Sequence, residues 1–326
     1  MVKPLLDIQT LADQLTLPVI AAPMFIVSQP ALVAACSAAG VVGSFPAANA
    51  NRTDEGLSGW LHHIEEQAGR GRAEGRYVAP HAVNIIVHKS NTNLDRDIAT
   101  VAEHKVPLVI TSVGAPGDIA KEVHAYGGLV FHDVIHMRHA RKAVESGVDG
   151  LILVAAGAGG HAGTLNPFAL VTEARALFDL PLILSGCISD GRAVRAARVL
   201  GADFAYLGTR FIATREANAD DQYKRLIFES GASDITYTPE FSGIPGNYLT
   251  KSIVASGVDP AGVALPGQKV DRDYQTGRER PKAWAVIKSA GQGVGTISDA
   301  PTAAELVQRL KSEYDAAGID SRAAAE

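Results

Sequence analysis

The sequence contains little cysteine and few aromatic residues, and it has no block of basic residues. Its two cysteines, Cys36 and Cys187, exclude a disulfide framework or a cysteine-rich metal cluster. Aromatic residues make up 6% of the 326 residues, too few for a platform that stacks single-stranded nucleic acid. The 30 lysines and arginines against 35 aspartates and glutamates give a net charge of -5, which argues against nucleic acid as a partner.

Long apolar runs are also missing. No stretch approaches the ~18 apolar residues that a membrane-spanning helix needs. The N-terminal sequence MVKPLLDIQTLADQLTLP mixes acidic residues into its apolar stretch and lacks the apolar core of a signal peptide. The sequence therefore predicts a soluble, cytoplasmic protein without a membrane partner. Glycine, by contrast, is abundant at 32 residues, which together with alanine-rich helices suggests an enzyme scaffold with tight strand-to-helix turns.

Eight short apolar runs recur along the chain, and turn residues and a helical stretch follow each of them. The runs are apolar throughout rather than alternating, as in parallel strands that are buried on both faces. They are residues 18–25, 41–46, 81–87, 107–112, 128–134, 150–156, 181–186 and 204–211. Eight such units fit an α/β fold of the (β/α)8 TIM-barrel type better than a doubly wound sheet, which more often has about five or six strands.

The repeating pattern of strand and helix ends near Arg215, and this sets the predicted domain boundaries. Residues 1–215 are predicted to form the barrel, with a polar loop over residues 68–77 between its second and third strands. Residues 216–297 contain many turn residues and are predicted to form a small, mostly helical appendage over the barrel mouth. Residues 298–326 are predicted to form a C-terminal helix and a frayed tail.

The active site of such a barrel is built at the carboxyl ends of its strands. The first predicted strand ends in Ala22, Pro23 and Met24, where the proline marks the end of the strand and exposes the following backbone at the barrel mouth. An ordinary strand end with a core methionine is the alternative. Asn84 lies in the otherwise apolar third strand and needs a hydrogen-bond partner, which a ligand can supply.

The sixth predicted strand is followed by GAGGHAGT (157–164). The glycines of this run, including Gly159 and Gly160, let the backbone pass close to a ligand and provide clustered N–H donors. His161 follows them, and histidine is suited to proton transfer near neutral pH. The alternative is a glycine-rich turn with an incidental surface histidine.

The seventh and eighth predicted strands both end in glycine-bearing turns, at Ser185 and Gly186 and at Gly208 and Thr209. Loops after these two strands form the usual phosphate site of barrel enzymes, with backbone N–H groups and a short helix N-terminus facing the anion. The hydroxyl of Thr209 would add a donor. Tight turns without a ligand are the alternative.

Other polar residues near the strand ends have less specific interpretations. Asp133 is predicted to be a hydrogen-bonding group at the barrel mouth. His132 and His136 superficially resemble a metal pair, but they lack a third ligand and the usual zinc spacing, so no metal site is predicted. Cys187 has no evident activating base and is interpreted as a packing residue.

Taken in order, the motifs at these strand ends resemble the nitronate monooxygenase family, formerly called 2-nitropropane dioxygenases, which are FMN-dependent (β/α)8 barrels. The motifs are APM (22–24), VNIIV (83–87), GAGGHAGT (157–164), SGCI (185–188) and YLGTRF (206–211). SAGQGVGTI (289–297) is similar to the C-terminal AGQG motif of that family. The resemblance extends from about residue 17 to residue 297, nearly the whole chain.

The resemblance implies roles for individual residues. The FMN-binding residues would be Ala22, Pro23, Met24, Asn84, Asp133, Gly159, Gly160, Ser185, Gly186, Gly208 and Thr209. His161 matches the histidine of the family and would act on the substrate as a base or as a positioning donor. Members of the family oxidise alkyl nitronates, and O2 then reacts to give a carbonyl compound and nitrite.

Two departures from the family pattern bear on the substrate. Val154 and Gly157 lie where many members carry a glutamine and the sequence EAGGH, and Phe25-Ile26-Val27 replaces a short glycine-bearing turn. The sequence predicts an FMN-dependent oxidoreductase that acts on a nitronate or nitroalkane and O2. It leaves two alternatives: an FMN-dependent NAD(P)H reductase of the quinone or enoyl-thioester type, and a non-redox barrel that binds a phosphorylated metabolite. The oligomeric state is left open.

Overall fold

Eight parallel strands form a barrel with helices between them, and the predicted (β/α)8 fold is confirmed. The computed structural model describes residues 4–88, 91–268 and 284–318, so part of the predicted appendage and the predicted tail lie outside the described residues. The barrel strands are β1 (Val19–Ala21), β2 (Gly43–Pro46), β3 (His81–Ile86), β4 (Leu108–Ser112), β5 (Leu129–Val134), β6 (Gly150–Val154), β8 (Leu182–Ser185) and β9 (Phe204–Leu207).

The order of the strands around the barrel is β1-β9-β8-β6-β5-β4-β3-β2. A parallel bridge between Ile20 and Val42 joins the two ends of this sheet. The helices are α1 (Ile8–Gln14), α2 (Pro30–Ala38), α3 (Ala47–Ala50), α4 (Gly56–Ala73), α5 (Leu94–Glu103), α6 (Ile119–Ala125), α7 (Met137–Glu145), α8 (Pro167–Leu177), α9 (Gly191–Leu200), α10 (Thr209–Ile212), α11 (Asp221–Phe228), α12 (Thr250–Ala255) and α13 (Ala303–Ala316). None of the described helices is both long and apolar enough to cross a membrane.

The strands bury apolar side chains on both of their faces. On β5, Val130 belongs to the core between the barrel and its helices, whereas Phe131 belongs to the core inside the barrel. This alternation follows from the pleat of the strand, in which successive side chains point to opposite faces. Leu11 and Leu15 of the α1 segment join the inner core, so this segment closes the amino-terminal end of the barrel.

The predicted polar loop over residues 68–77 is wrong in its first part, because α4 continues to Ala73. Glycine and arginine in this stretch do not interrupt the helix. Gly71 is buried, and a Cβ there would lie 2.8 Å from Val78 Cγ2, so this glycine allows the close approach of the following strand segment. Arg70 pairs with Glu66 one helical turn away, an arrangement that favours a helix.

Beyond Arg215 the chain forms α11, α12 and two strands, which join a strand from the segment after β6 in a small antiparallel sheet. Its strands are β7 (Gly160–His161), β10 (Ile235–Thr238) and β11 (Gly246–Leu249), in the order β10-β11-β7. In this sheet Gly246 is paired with His161. The sheet therefore attaches the segment after β6 to the C-terminal part of the chain. The last helix, α13, packs against α2 and α9 on the outside of the barrel.

Candidate active site

A cavity of about 270 Å³ lies at the carboxyl ends of the barrel strands, and all of the site residues predicted from the sequence line it. These residues are Ala22, Pro23, Met24, Asn84, Asp133, Gly159, Gly160, His161, Ser185, Gly186, Gly208 and Thr209. The structure therefore brings them together, although they come from segments far apart in the sequence. Their individual roles stay predictions.

The loop after β1, which carries Pro23 and Met24, is held by the buried side chain of Asn49. Asn49 Nδ2 donates to Met24 O at 3.1 Å and to Ser28 O at 2.9 Å, and Oδ1 accepts the Ile26 N–H at 2.8 Å. Ile26 has a φ of 69°, which is unfavourable for a β-branched residue. The Asn49 hydrogen bonds therefore hold a strained turn against one wall of the cavity.

A chain of polar side chains crosses the inner wall of the cavity. Asn84 Nδ2 donates to Ser112 Oγ at 2.6 Å, and Ser112 Oγ donates to Asp133 Oδ2 at 2.6 Å. Asp133 is partly exposed as a residue, but its Oδ1 atom is buried without a partner among the described residues, and so is Tyr206 Oη. Burial raises the pKa of Asp133 to about 6, and burial with the charge of Asp133 raises the pKa of Tyr206.

Buried polar atoms without a partner are rare because each costs free energy. Asp133 Oδ1 and Tyr206 Oη belong to residues that line the same cavity. These two atoms are therefore free to form hydrogen bonds with polar atoms of a ligand in the cavity.

The turn after β8 provides backbone donors at another part of the cavity. Gly186 and Cys187 have φ values of 130° and 58°, and no described residue accepts the backbone N–H groups of Cys187, Ile188 or Ser189. Thr209 Oγ1 accepts the Gly291 N–H at 2.8 Å, so its own hydroxyl proton is available. No lysine or arginine is among the described residues that line the cavity. This arrangement suits an oxyanion that is bound by backbone N–H and hydroxyl groups.

The N-terminus of α9, which follows this turn, has carboxylate partners from the protein itself. Glu313 Oε2 accepts the Gly191 N–H, and Asp190 Oδ1 accepts the Ala193 N–H, both at 2.7 Å. Two of the N–H groups at the start of α9 are thus occupied. The free donors lie earlier, in the turn itself.

The glycines after β6 are required by packing against a second loop. A Cβ on Gly159 would lie 2.9 Å from Gly291 N, and a Cβ on Gly291 would lie 2.5 Å from Gly157 O. A Cβ on Gly293 would lie 2.6 Å from Ser189 Oγ. We call the approach of Gly157 and Gly159 to Gly291 the glycine contact. It explains why glycine is needed here in both loops, independently of any ligand.

His161 lies on β7 at the edge of the cavity and is half-buried. Its Nε2 atom is 2.9 Å from Ser242 Oγ, and its ring meets the ring of Trp284 edge to face at 5.3 Å between centroids. Burial lowers the pKa of His161 to about 4. The imidazole is therefore neutral at pH 7 and can accept a proton.

The sequence did not point to several residues of this site. Ser112 and Tyr206 lie two residues after Ile110 and Phe204, which face the inside of the barrel. Because side chains alternate along a strand, the sequence could have indicated that Ser112 and Tyr206 also face inward. Ser289 Oγ accepts the Gly160 N–H at 2.7 Å and lies in the SAGQG motif. Ser242 and Trp284 lie in segments without a periodic pattern, so nothing in the sequence marked them.

The remaining histidine candidates have local partners. His132 Nδ1 is 2.8 Å from Thr111 Oγ1, and His136 Nδ1 accepts the His139 N–H at the start of α7. Among residues 4–88, 91–268 and 284–318, no group of three or more histidine, cysteine or acidic residues has an arrangement that could hold a metal ion.

The chain is similar to known proteins in sequence and in fold. Residues 71–313 match the family model of nitronate monooxygenase. The chain is 29% identical to a nitronate monooxygenase of Paraburkholderia phytofirmans over 91% of this chain and 92% of that protein. A solved nitroalkane oxidase from Streptomyces ansochromogenes superposes with a TM-score of 0.74 at 24% identity, over 97% of this chain and 100% of that one. FabK from Thermotoga maritima superposes with a TM-score of 0.74 at 23% identity, over 98% and 99% of the two chains. At these identities both structures show the fold alone.

Proposed function

The chain belongs to the nitronate monooxygenase family, and we propose that it binds FMN and oxidises alkyl nitronates, with O2, to carbonyl compounds and nitrite. The observation that carries the proposal is the combination in one cavity of backbone donors, a polar inner wall and a neutral histidine. A small-molecule cavity that joins such groups is the expected form of a cofactor and substrate site.

The residues that line the cavity fit FMN. The backbone N–H groups of Cys187, Ile188 and Ser189, with the Thr209 hydroxyl, would hold the phosphate. The free oxygens of Asp133 and Tyr206, together with Asn84, would bind polar atoms of the ring system.

The apolar side of the cavity fits the rest of the cofactor. Ala22, Pro23 and Met24 would pack against the ring, since they line the cavity on a loop that Asn49 holds in place. When bound, FMN supplies the electron acceptor for the nitronate and the redox partner of O2.

His161 is the residue that we assign to proton transfer. Because its ring is neutral at pH 7, it can take the α-proton of a neutral nitroalkane. The C–H electron pair then stays on the substrate and forms the nitronate. A nitronate supplied as such needs no proton removal, and His161 would only orient it.

His161→Asn tests this assignment, because asparagine keeps a polar side chain of similar reach but cannot act as the base. We expect turnover of a neutral nitroalkane to fall by about 100- to 10,000-fold, the range of general-base catalysis, while bound FMN is retained. Turnover and the visible spectrum of the purified variant measure the two effects. His139→Asn, which changes a histidine outside the cavity, is the control. Full turnover of every nitro substrate by His161→Asn would contradict the assignment.

An anaerobic stopped-flow experiment separates the proposed activity from that of an NAD(P)H-dependent reductase. We expect an alkyl nitronate to bleach the flavin absorbance within one turnover, and NADH or NADPH to bleach it far more slowly. Rapid bleaching by a reduced nicotinamide and none by a nitronate would overturn the proposed oxidation. A protein that stays colourless after addition of FMN would overturn the flavin assignment itself.

A further inference from the structure

Ser242, which lies in the loop between β10 and β11, is within hydrogen-bond distance of several groups at once. Its Oγ atom is 2.9 Å from His161 Nε2, 2.9 Å from Ile244 O and 3.2 Å from Tyr248 Oη. Tyr248 is fully buried, and its hydroxyl donates to Ser242 Oγ. A hydroxyl group has one proton to donate, so the surroundings decide where that proton goes.

The carbonyl oxygen of Ile244 decides the position of the proton. If Ser242 donated to His161, its oxygen would face Ile244 O at 2.9 Å with no proton between two acceptor atoms, which is repulsive. If Ser242 donates to Ile244 O, this contact becomes a hydrogen bond of ordinary length. The oxygen of Ser242 then accepts from Tyr248 Oη and, at 2.9 Å, from His161 Nε2.

We propose that Ser242 is a positioning residue that holds His161 as the Nε2–H tautomer and leaves the lone pair on Nδ1 for the substrate. Its consequence for catalysis rests on the function proposed above. The two ring nitrogens of histidine are distinct, and the hydrogen bond at one of them sets which one is basic. Among the described residues no hydrogen bond reaches Nδ1, so this nitrogen is the one left to react.

The aromatic side chains around His161 support the same arrangement. The ring of Trp284 stacks on Tyr248 at 5.2 Å between centroids, and it also meets the ring of His161 edge to face. Rotation of the imidazole would disturb this packing. The position of the ring and the identity of its protonated nitrogen are thus fixed by the same small group of residues.

Proton transfer balances in this arrangement. Nδ1 takes the α-proton of a nitroalkane, and the electron pair of the C–H bond stays on the substrate as the nitronate. The resulting imidazolium carries a proton on both nitrogens, and Ser242 continues to accept the Nε2–H. Ser242 therefore need not reorient during the step, which is the advantage of a preorganised acceptor.

The tautomer itself can be measured without reference to activity. In the FMN-loaded protein, ¹⁵N chemical shifts of the histidine rings distinguish the Nε2–H form from the Nδ1–H form, and His161→Asn assigns the signal. We expect His161 to be the Nε2–H tautomer in the unaltered protein and in Ser242→Thr, which keeps the hydroxyl. We expect a mixture of tautomers in Ser242→Ala. An Nδ1–H signal in the unaltered protein, or an unchanged tautomer in Ser242→Ala, would overturn the proposal.

Kinetics with paired substrates then test the consequence. For Ser242→Ala we expect kcat/KM to fall by at least about tenfold with a neutral nitroalkane and to stay within about twofold with the corresponding nitronate, since only the first needs a base. Ser256→Ala, which removes a serine that bonds only to a backbone carbonyl of α12, is the matched control and should change neither value. An equal loss with both substrates would indicate a merely structural role.

The two proposals fail in different ways. A protein that oxidises neither substrate contradicts the proposed function, yet the ring signals still decide the tautomer. A protein that oxidises both but shows the Nδ1–H form keeps its proposed function and loses the role of Ser242.

Discussion

The inside of the barrel differs sharply between its two ends, although the same strands form both. On β5, Leu129 and Phe131 belong to the apolar inner core, and Asp133, two residues further on, lines the cavity. On β4, Ile110 belongs to the same core, and Ser112 lines the cavity. On each of these strands, the next inward-facing residue after the apolar core already lines the cavity.

The two ends are also closed differently. At the amino-terminal end, Leu11 and Leu15 extend the apolar inner core. At the carboxyl end, the small sheet of β7, β10 and β11 brings polar groups such as His161 and Ser242 to the cavity. The apolar end of the barrel therefore contributes stability. This stability offsets the free-energy cost of the unpartnered polar atoms at the carboxyl end.

The largest effect is expected from the apolar end. Phe131→Ala removes a fully buried ring from the inner core and should lower the free energy of unfolding by about 3–5 kcal/mol. Denaturant unfolding measures this change. Phe168→Ala is the matched control, because that ring is 68% exposed and its loss should change stability little. Similar values for the two variants would show that burial in the inner core does not account for the stability of the barrel.

A smaller loss is expected at the loop that borders the cavity. Asn49→Ala removes the hydrogen bonds to Met24 O, Ser28 O and the Ile26 N–H, and should cost about 2–3 kcal/mol of unfolding free energy. In an Ile26→Gly background the cost should be smaller, because glycine adopts the φ of 69° without support. A double-mutant cycle measures the difference. Strictly additive effects would show that Asn49 does not hold a strained turn.

The smallest effect has the opposite sign. The pKa of Asp133, raised to about 6, lies above its ordinary value, so ionisation costs folding free energy. That cost is absent at low pH and appears as pH rises through the folded pKa. Asp133→Asn should therefore stabilise the protein without FMN by about 1–2 kcal/mol at pH 7, and the gain should disappear near pH 4.

Thermal unfolding at both pH values measures this gain. Asp179→Asn, which changes an exposed aspartate outside the cavity, is the control and should change stability little. The same gain at pH 4 and pH 7 would show that the Asp133 charge is not its cause. A gain at pH 7 alone would show that the protein retains a destabilising carboxylate at the cavity.

The barrel was predictable because buried parallel strands leave continuous apolar runs in the sequence, and because the site of a barrel lies at known strand ends. The extension of α4 was not, since the glycine of its last turn is there for a tertiary contact and not to end the helix. The same applies to position 159, where glycine is required because the backbone of Gly291 packs against it. Ser242 lies beside His161 because the small sheet pairs β11 with β7, and no local sequence pattern encodes such a contact.

The contact between the loop after β6 and the loop that carries Ser289 also has a consequence for the biosynthesis of the protein. The Gly160 N–H and its acceptor Ser289 are 129 residues apart in sequence. At ribosomal speed this separation corresponds to roughly 6–26 seconds of synthesis. In the last part of that interval, after β9 ends at Leu207, the barrel strands are complete but one wall of the cavity has not been made. The cavity is therefore complete only after Ser289 has been made, and a nascent chain that stalls before this residue has the barrel strands without a complete cavity.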